Sequence, residues 1–195
     1  IVPSFTIISC LSAIIRSGGK PIFCDVDINS WNMTLDNVKK VFNKNTKAIL
    51  MVHTYGLTSE ASEIRQFSND NGLILIEDTA EAHGQTYNNI KCGSFGDVST
   101  LSFYANKHIT TGEGGMVLTD DEEVYKSLIQ MRNLDFKSKT RFQHDNLYWN
   151  YRLGGLQAAL GISQSKNLKR VIENKIRQGH ILSLIHISEP TRLQD

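Results

Sequence analysis

Three side chains set along two apolar runs could do chemistry together. Asp78 closes the run LILIED, Ser102 lies inside STLSFY, and Lys107 follows five residues later, just ahead of the glycine-rich TTGEGG. Each has an ordinary explanation when taken alone. An acid after a buried strand is commonly a turn or cap residue, and a lysine in a polar loop is commonly solvated. Gly112, Gly114 and Gly115 do not match GxGxxG and precede a strand rather than a helix, so a tight turn is the preferred reading of them. Taken together, the three offer a carboxylate, a hydroxyl and an amine in one order. That set suits pyridoxal phosphate. The cofactor needs a lysine for its Schiff base and an acid to keep its pyridine nitrogen protonated, so that the ring draws electrons from the substrate carbon. Hydroxyl and backbone donors would hold its phosphate.

The elements that must position these groups alternate between strand and helix periods. Lys20–Val26 is short and apolar. Thr34 opens a helical stretch whose apolar positions Leu35, Val38, Val41 and Phe42 share a face. Ala48–Tyr55 is a strand candidate, and Ser59 is placed to cap a helix with Ala61, Ile64 and Phe67 inward, stopped by Asn71-Gly72. Leu73–Ile76, Val98–Tyr104 and Met116–Leu118 read as strands. Asp120 and Glu123 form a capping-box-like start to a helix reaching Arg132, and a last helix runs from near Gly155 past Ile176. Residues 134–148 form a long polar loop. The expected fold class is α/β, a mostly parallel sheet with helices on both faces, with ligands at the carboxyl edge of the strands.

Composition narrows the function classes. The chain has 195 residues, 40% apolar and 21% charged, with a formal net charge of +1, so neither nucleic acid nor another strongly charged partner is implied. The apolar runs are too short to cross a bilayer, and no membrane partner is expected. Cys10, Cys24 and Cys92 form no CxxC pair, which argues against a disulfide framework or a zinc site and for a reducing cytoplasm. His53, His83, His108 and His144 show no metal-ligand spacing, so no metal is expected. His83 is placed to line a pocket or to fill a loop or core position, and His108 to touch substrate or face solvent.

The segments EDTAEAHG, GSFGDVSTLSFYANKHITTGEGGMVLTDD and WNYRLGGLQAALG closely resemble the DegT/DnrJ/EryC1/StrS sugar aminotransferases, and the likeness runs over essentially all of 1–181. NKHITTGEGGM is most similar to the perosamine-synthase branch. The resemblance implies a fold-type-I, aspartate-aminotransferase-like large domain that binds pyridoxal 5'-phosphate. It implies amino transfer from glutamate to a nucleotide-linked 4-keto-6-deoxy sugar, for surface polysaccharide or antibiotic sugars. By the same resemblance Lys107 is the Schiff-base and proton-shuttling lysine and Asp78 the pyridinium partner. Ala80 packs on the ring, Glu81 lies near its hydroxyl, and Ser102 binds the phosphate. Asn150 is implied as a phosphate ligand given by the second subunit of a homodimer with a shared active site. Tyr151 and Arg152 would contact substrate or brace the dimer.

Some features depart from that pattern. Ile7 stands where an aromatic residue often stacks on the cofactor. The family's upstream phosphate-contacting turn and C-terminal small domain are missing, so 1–160 is read as a partial large domain and 161–181 as the start of a long helix leading to the small domain. Residues 182–195 are read as a non-native tail, because LSLIHISEPTR resembles a translated sequencing adapter; a genuine amphipathic segment is the other reading. Such a fragment is expected to expose apolar surface. Two rivals are a sugar dehydratase of the same cofactor, in which histidine replaces the lysine, and a non-catalytic regulator that keeps the cofactor.

Overall fold

The computed structural model of the chain describes residues 1–137, 139–140 and 142–188. Strand β1 (Val2–Pro3) pairs in parallel with β2 (Phe23–Cys24), and helix α1 (Ile8–Arg16) lies between them in sequence. Then come α2 (Leu35–Val41), β3 (Ala48–Val52), a single 3-10 turn at Thr54–Gly56, α3 (Ala61–Asp70) and β4 (Ile74–Asp78). A small hairpin, β5 (Thr86–Tyr87) and β6 (Ile90–Lys91), turns through Asn88 and Asn89, both at positive φ. The chain continues through β7 (Val98–Ser102), β8 (Gly115–Leu118), α4 (Glu122–Arg132), α5 (Gly155–Ser165) and α6 (Leu168–Ser188).

The central sheet has the order β3-β4-β7-β8; the first three strands are parallel and β8 is antiparallel to β7. Side chains alternate across it. Ile49, Met51 and Leu75 face one way, into a core with Val38 of α2 and Ala61 and Ile64 of α3. Leu50, Val52 and Ile76 face the other way, against Val2 and against Cys10, Leu11 and Ile14 of α1. Helices therefore cover both faces, and each buried aliphatic side chain contributes about 1.5–3 kcal/mol of transfer free energy. The same alternation sends Glu77 to the α2–α3 side and Asp78 to the α1 side.

Several boundaries differ from the sequence reading. Helix α1 had no signal: its N-cap is Ile7, which offers no side-chain acceptor. Ser59 does not cap α3, because its hydroxyl donates to Val52 O at 2.8 Å instead; Glu60 holds the cap position. Asp121, not Asp120, caps α4, accepting from Glu123 N at 2.8 Å and Val124 N at 2.9 Å. The strand expected to reach Tyr55 ends at Val52, since Tyr55 sits at φ 56°. The single last helix is two, broken after Ser165, where Asn167 N bonds Gln164 O at 3.0 Å in a tightened turn. Residues 182–188 continue α6, and 189–195 lie outside the described residues. The polar loop is organised by buried Asp135, whose Oδ2 accepts from Asp145 N at 2.6 Å and Asn146 N at 2.8 Å.

Candidate active site

A cleft of about 710 Å³ opens at the carboxyl edge of β3, β4 and β7. Parallel strands deliver their following loops to one edge, and this is where ligands collect in such sheets. Asp78, Ala80, Glu81, Ser102 and Lys107 all line the cleft, joined by Thr6 and Ile7 ahead of α1 and by Tyr55. Five of the six residues assigned from sequence therefore come together.

Asp78 ends β4. Its Oδ1 accepts from Ala80 N at 3.0 Å, the side-chain turn expected of an Asp after a strand, and from Thr100 Oγ1 at 3.4 Å. Its Oδ2 accepts from the Cys10 thiol at 3.2 Å. The bland and the chemical readings of Asp78 are thus compatible: one oxygen shapes the turn, the other has a single thiol donor, and the residue lines the cleft. Lys107 Nζ donates to Glu81 Oε1 at 3.0 Å, with the lysine side chain 15% exposed. Glu81 is fixed in turn because its Oε2 accepts from Tyr55 N at 2.8 Å. The lysine is therefore a part-buried, oriented amine rather than a fully solvated one.

Ser102 Oγ lines the cleft and accepts from Tyr104 N at 3.3 Å, leaving its hydroxyl proton free to point at a ligand. The TTGEGG run is a tight turn: Gly112 has φ 80°, Gly114 has φ 154°, and a Cβ on Gly114 would meet Thr111 Oγ1 at 2.5 Å. Asn150 does not join the cleft. Its Oδ1 accepts from Arg152 N at 3.3 Å and Nε at 2.9 Å, and its backbone bridges Asn133. Tyr151, Arg152 and His108 also lie off the lining. His83 is buried beside it, with both ring nitrogens unpartnered among the described residues, packed on Phe103 and His108 at 6.1 and 6.0 Å. Burial, with His108 and Lys107 adding to it, pushes its pKa down to about 4.

Sequence reasoning missed Thr6, Cys10 and Tyr55. The first two depend on α1, and Tyr55 acts through a backbone N–H that no residue type reveals. It also missed Glu77 and its meeting with His53 and Cys92, whose potential ligand atoms lie within 4.8 Å of one another. These three behave as a hydrogen-bond network. Glu77 is fully buried and accepts from His53 Nε2, Gly93 N, Phe95 N, Gly96 N and Ser99 Oγ at 2.6–3.0 Å. Burial alone would raise its pKa, but these donors outweigh burial and hold it below the ordinary carboxylate value. His53 Nδ1 accepts from Ser59 N at 3.2 Å, so its proton sits on Nε2 and points at Glu77. Burial and Glu77 push the Cys92 thiol up to about 12. Both carboxylate oxygens are thus occupied by donors from the chain itself.

The chain is similar to known proteins. The chain is 38% identical to the GDP-perosamine synthase of Vibrio cholerae over 90% of its length and 48% of that protein's. It is 36% identical to the GDP-perosamine synthase of Escherichia coli O157:H7 over 98% of its length and 54% of that protein's. It therefore spans about half the length of these relatives. A solved GDP-4-keto-6-deoxymannose-3-dehydratase with a trapped PLP-glutamate geminal diamine superposes with a TM-score of 0.82 at 32% identity, covering 87% of this chain and 48% of that one. The model describing DegT/DnrJ/EryC1/StrS aminotransferases matches residues 1–185, from β1 through most of α6, and the chain belongs to that family.

Proposed function

We propose that the chain is the cofactor-binding part of a pyridoxal-phosphate-dependent aminotransferase that moves an amino group from glutamate to a nucleotide-linked 4-keto-6-deoxy sugar. The observation that carries this is the meeting of Lys107 and Asp78, from loops and strands far apart in sequence, on one cleft. The donor set fits the cofactor: one part-buried amine, one carboxylate whose Oδ2 meets only a weak thiol donor, and one hydroxyl with a free proton.

In this reading Lys107 would be the residue that holds the cofactor, and its Nζ, when free, would carry a proton to and from the substrate carbon. Glu81 keeps that amine aimed while it is free. Asp78 would keep the ring nitrogen protonated, Ala80 would pack against the ring, and Ser102 would donate to the phosphate. The cofactor supplies the electron sink that makes the substrate carbon acidic. Asn150 completes the phosphate site from a second copy of the protein. Supporting this, it stands among exposed apolar side chains, Leu147, Trp149, Tyr151 and Leu156, and no residue of α4 or α5 is buried within the chain. The reading places 1–160 in a large domain and α6 on the path to a small one. Among the described residues no helix is long and apolar enough to cross a membrane, in keeping with a cytoplasmic site of action.

The dehydratase named above is the reading to beat, and Lys107 stands against it. The test is to mix the complete protein with pyridoxal phosphate, glutamate, and GDP- or dTDP-linked 4-keto-6-deoxy sugars. Formation of an amino sugar, abolished in Lys107→Ala along with the visible absorbance of the lysine-bound cofactor, is the expected result. A deoxygenated keto-sugar in its place, or undiminished turnover in Lys107→Ala, would sink the proposal.

A further inference from the structure

Asp78 is held by a chain of hydrogen bonds that begins in the cleft and runs through α1. Its Oδ1 is tied within the sheet, by Ala80 N and Thr100 Oγ1. Its Oδ2 has one protein donor, the Cys10 thiol at 3.2 Å. Thr6 Oγ1 lies 3.5 Å from that sulfur, an interaction whose direction the distance leaves open. The direction follows from counting protons. An ionised carboxylate only accepts, so the thiol's single proton points at Oδ2; the sulfur then has only lone pairs for Thr6, and the threonine hydroxyl must donate. The order is Thr6 to Cys10 to Asp78.

We propose that Cys10 is a positioning residue for Asp78: it sets the rotation of the carboxylate whose Oδ2 serves the cofactor's ring nitrogen, and Thr6 sets Cys10. This rests on the functional reading above. Three observations support it. Cys10 is buried, and the residues packed around it, Val2, Leu50 and Val52, are apolar, a setting in which a hydrogen bond orients more strongly than in water. Burial pushes its thiol up to about 11, Thr6 pulling it back and Asp78 adding to the rise, so it stays a donor across the working pH range. A thiol is also a weak donor. It can orient Oδ2 while leaving that oxygen basic enough to hold a second, stronger partner, whereas a hydroxyl would compete for it.

The test has two arms on the complete protein. In the first, without cofactor, the infrared S–H stretch of Cys10 is isolated as the difference between wild type and Cys10→Ala. It is expected to lie at lower frequency than the Cys24 and Cys92 bands and to move up in Asp78→Asn; a band unmoved by Asp78→Asn overturns the hydrogen bond. In the second, pyridoxal phosphate is titrated in. Cys10→Ala is expected to weaken binding about tenfold, the worth of one hydrogen bond to a charged group, and to shift the pH dependence of the visible band. Cys10→Ser, which restores an orienting donor but a competing one, should recover only part of the affinity and keep a shifted pH dependence, and Thr6→Val should show a smaller loss than Cys10→Ala. Wild-type binding and an unchanged pH profile in Cys10→Ala overturn the positioning role. A wild-type protein that takes up no cofactor sinks the functional reading and this role with it, while the infrared arm still judges the hydrogen bond by itself.

Discussion

Glu77 and Asp78 are neighbours on one strand and carry the same charged group, yet the sheet turns them to opposite faces and to opposite uses. Glu77 is sealed from solvent and meets five donors. Asp78 meets three, one of them a weak thiol, and borders the cleft. The lesson is that burial and hydrogen bonding alone do not mark a functional acid. A saturated carboxylate is structural, because any new partner must first displace one already paid in desolvation. An acid left with capacity on the side of a cavity is available for chemistry.

Mutagenesis can break or sharpen this contrast. The largest expected effect is Glu77→Ala, which strands five donors, three of them on buried residues, and should lower unfolding stability by at least about 3 kcal/mol in urea titrations. Asp78→Asn should cost about 1 kcal/mol or less, since an amide oxygen still accepts from Ala80, while slowing the glutamate half-reaction about a hundredfold in stopped-flow measurements. Equal destabilisation by the two would erase the distinction. A pH effect of intermediate size comes from His83. Its folded pKa is depressed from 6.5 to about 4, so the unfolded chain binds the extra proton in that window. The stability it contributes is complete above 6.5 and is lost as pH falls toward 4; urea midpoints of His83→Phe should fall less steeply than wild type over the same range. The smallest is Asp121→Ala, a cap remote from both faces, expected to cost about 1 kcal/mol by the same assay with cofactor binding unchanged.

Much of this was legible in the sequence, and the reasons are local. Val38 with Val41, and Ala61 with Ile64, show helical spacing, and LILIED is a strand that ends in acid. Asp78, Ser102 and Lys107 could be found because strand ends share an edge. Cys10 could not. Ile8–Arg16 carries β-branched residues and no capping side chain, so nothing announced the helix that brings Cys10 to a residue 68 positions away. Glu77 was passed over as part of a strand terminus, although alternation already required that it and Asp78 part company. Asn150 does not line the cleft of its own chain and is held by Arg152 instead, which sequence spacing had no means to show.

The amide of Tyr55 reaches Glu81 from the main chain, at a cleft-lining residue that is 70% exposed. Swapping that ring for another side chain leaves the N–H in place; only proline removes it. The rim of the cavity can thus be recut for a different guest while the lysine's counter-charge keeps its aim, a separation of taste from machinery written into one peptide bond.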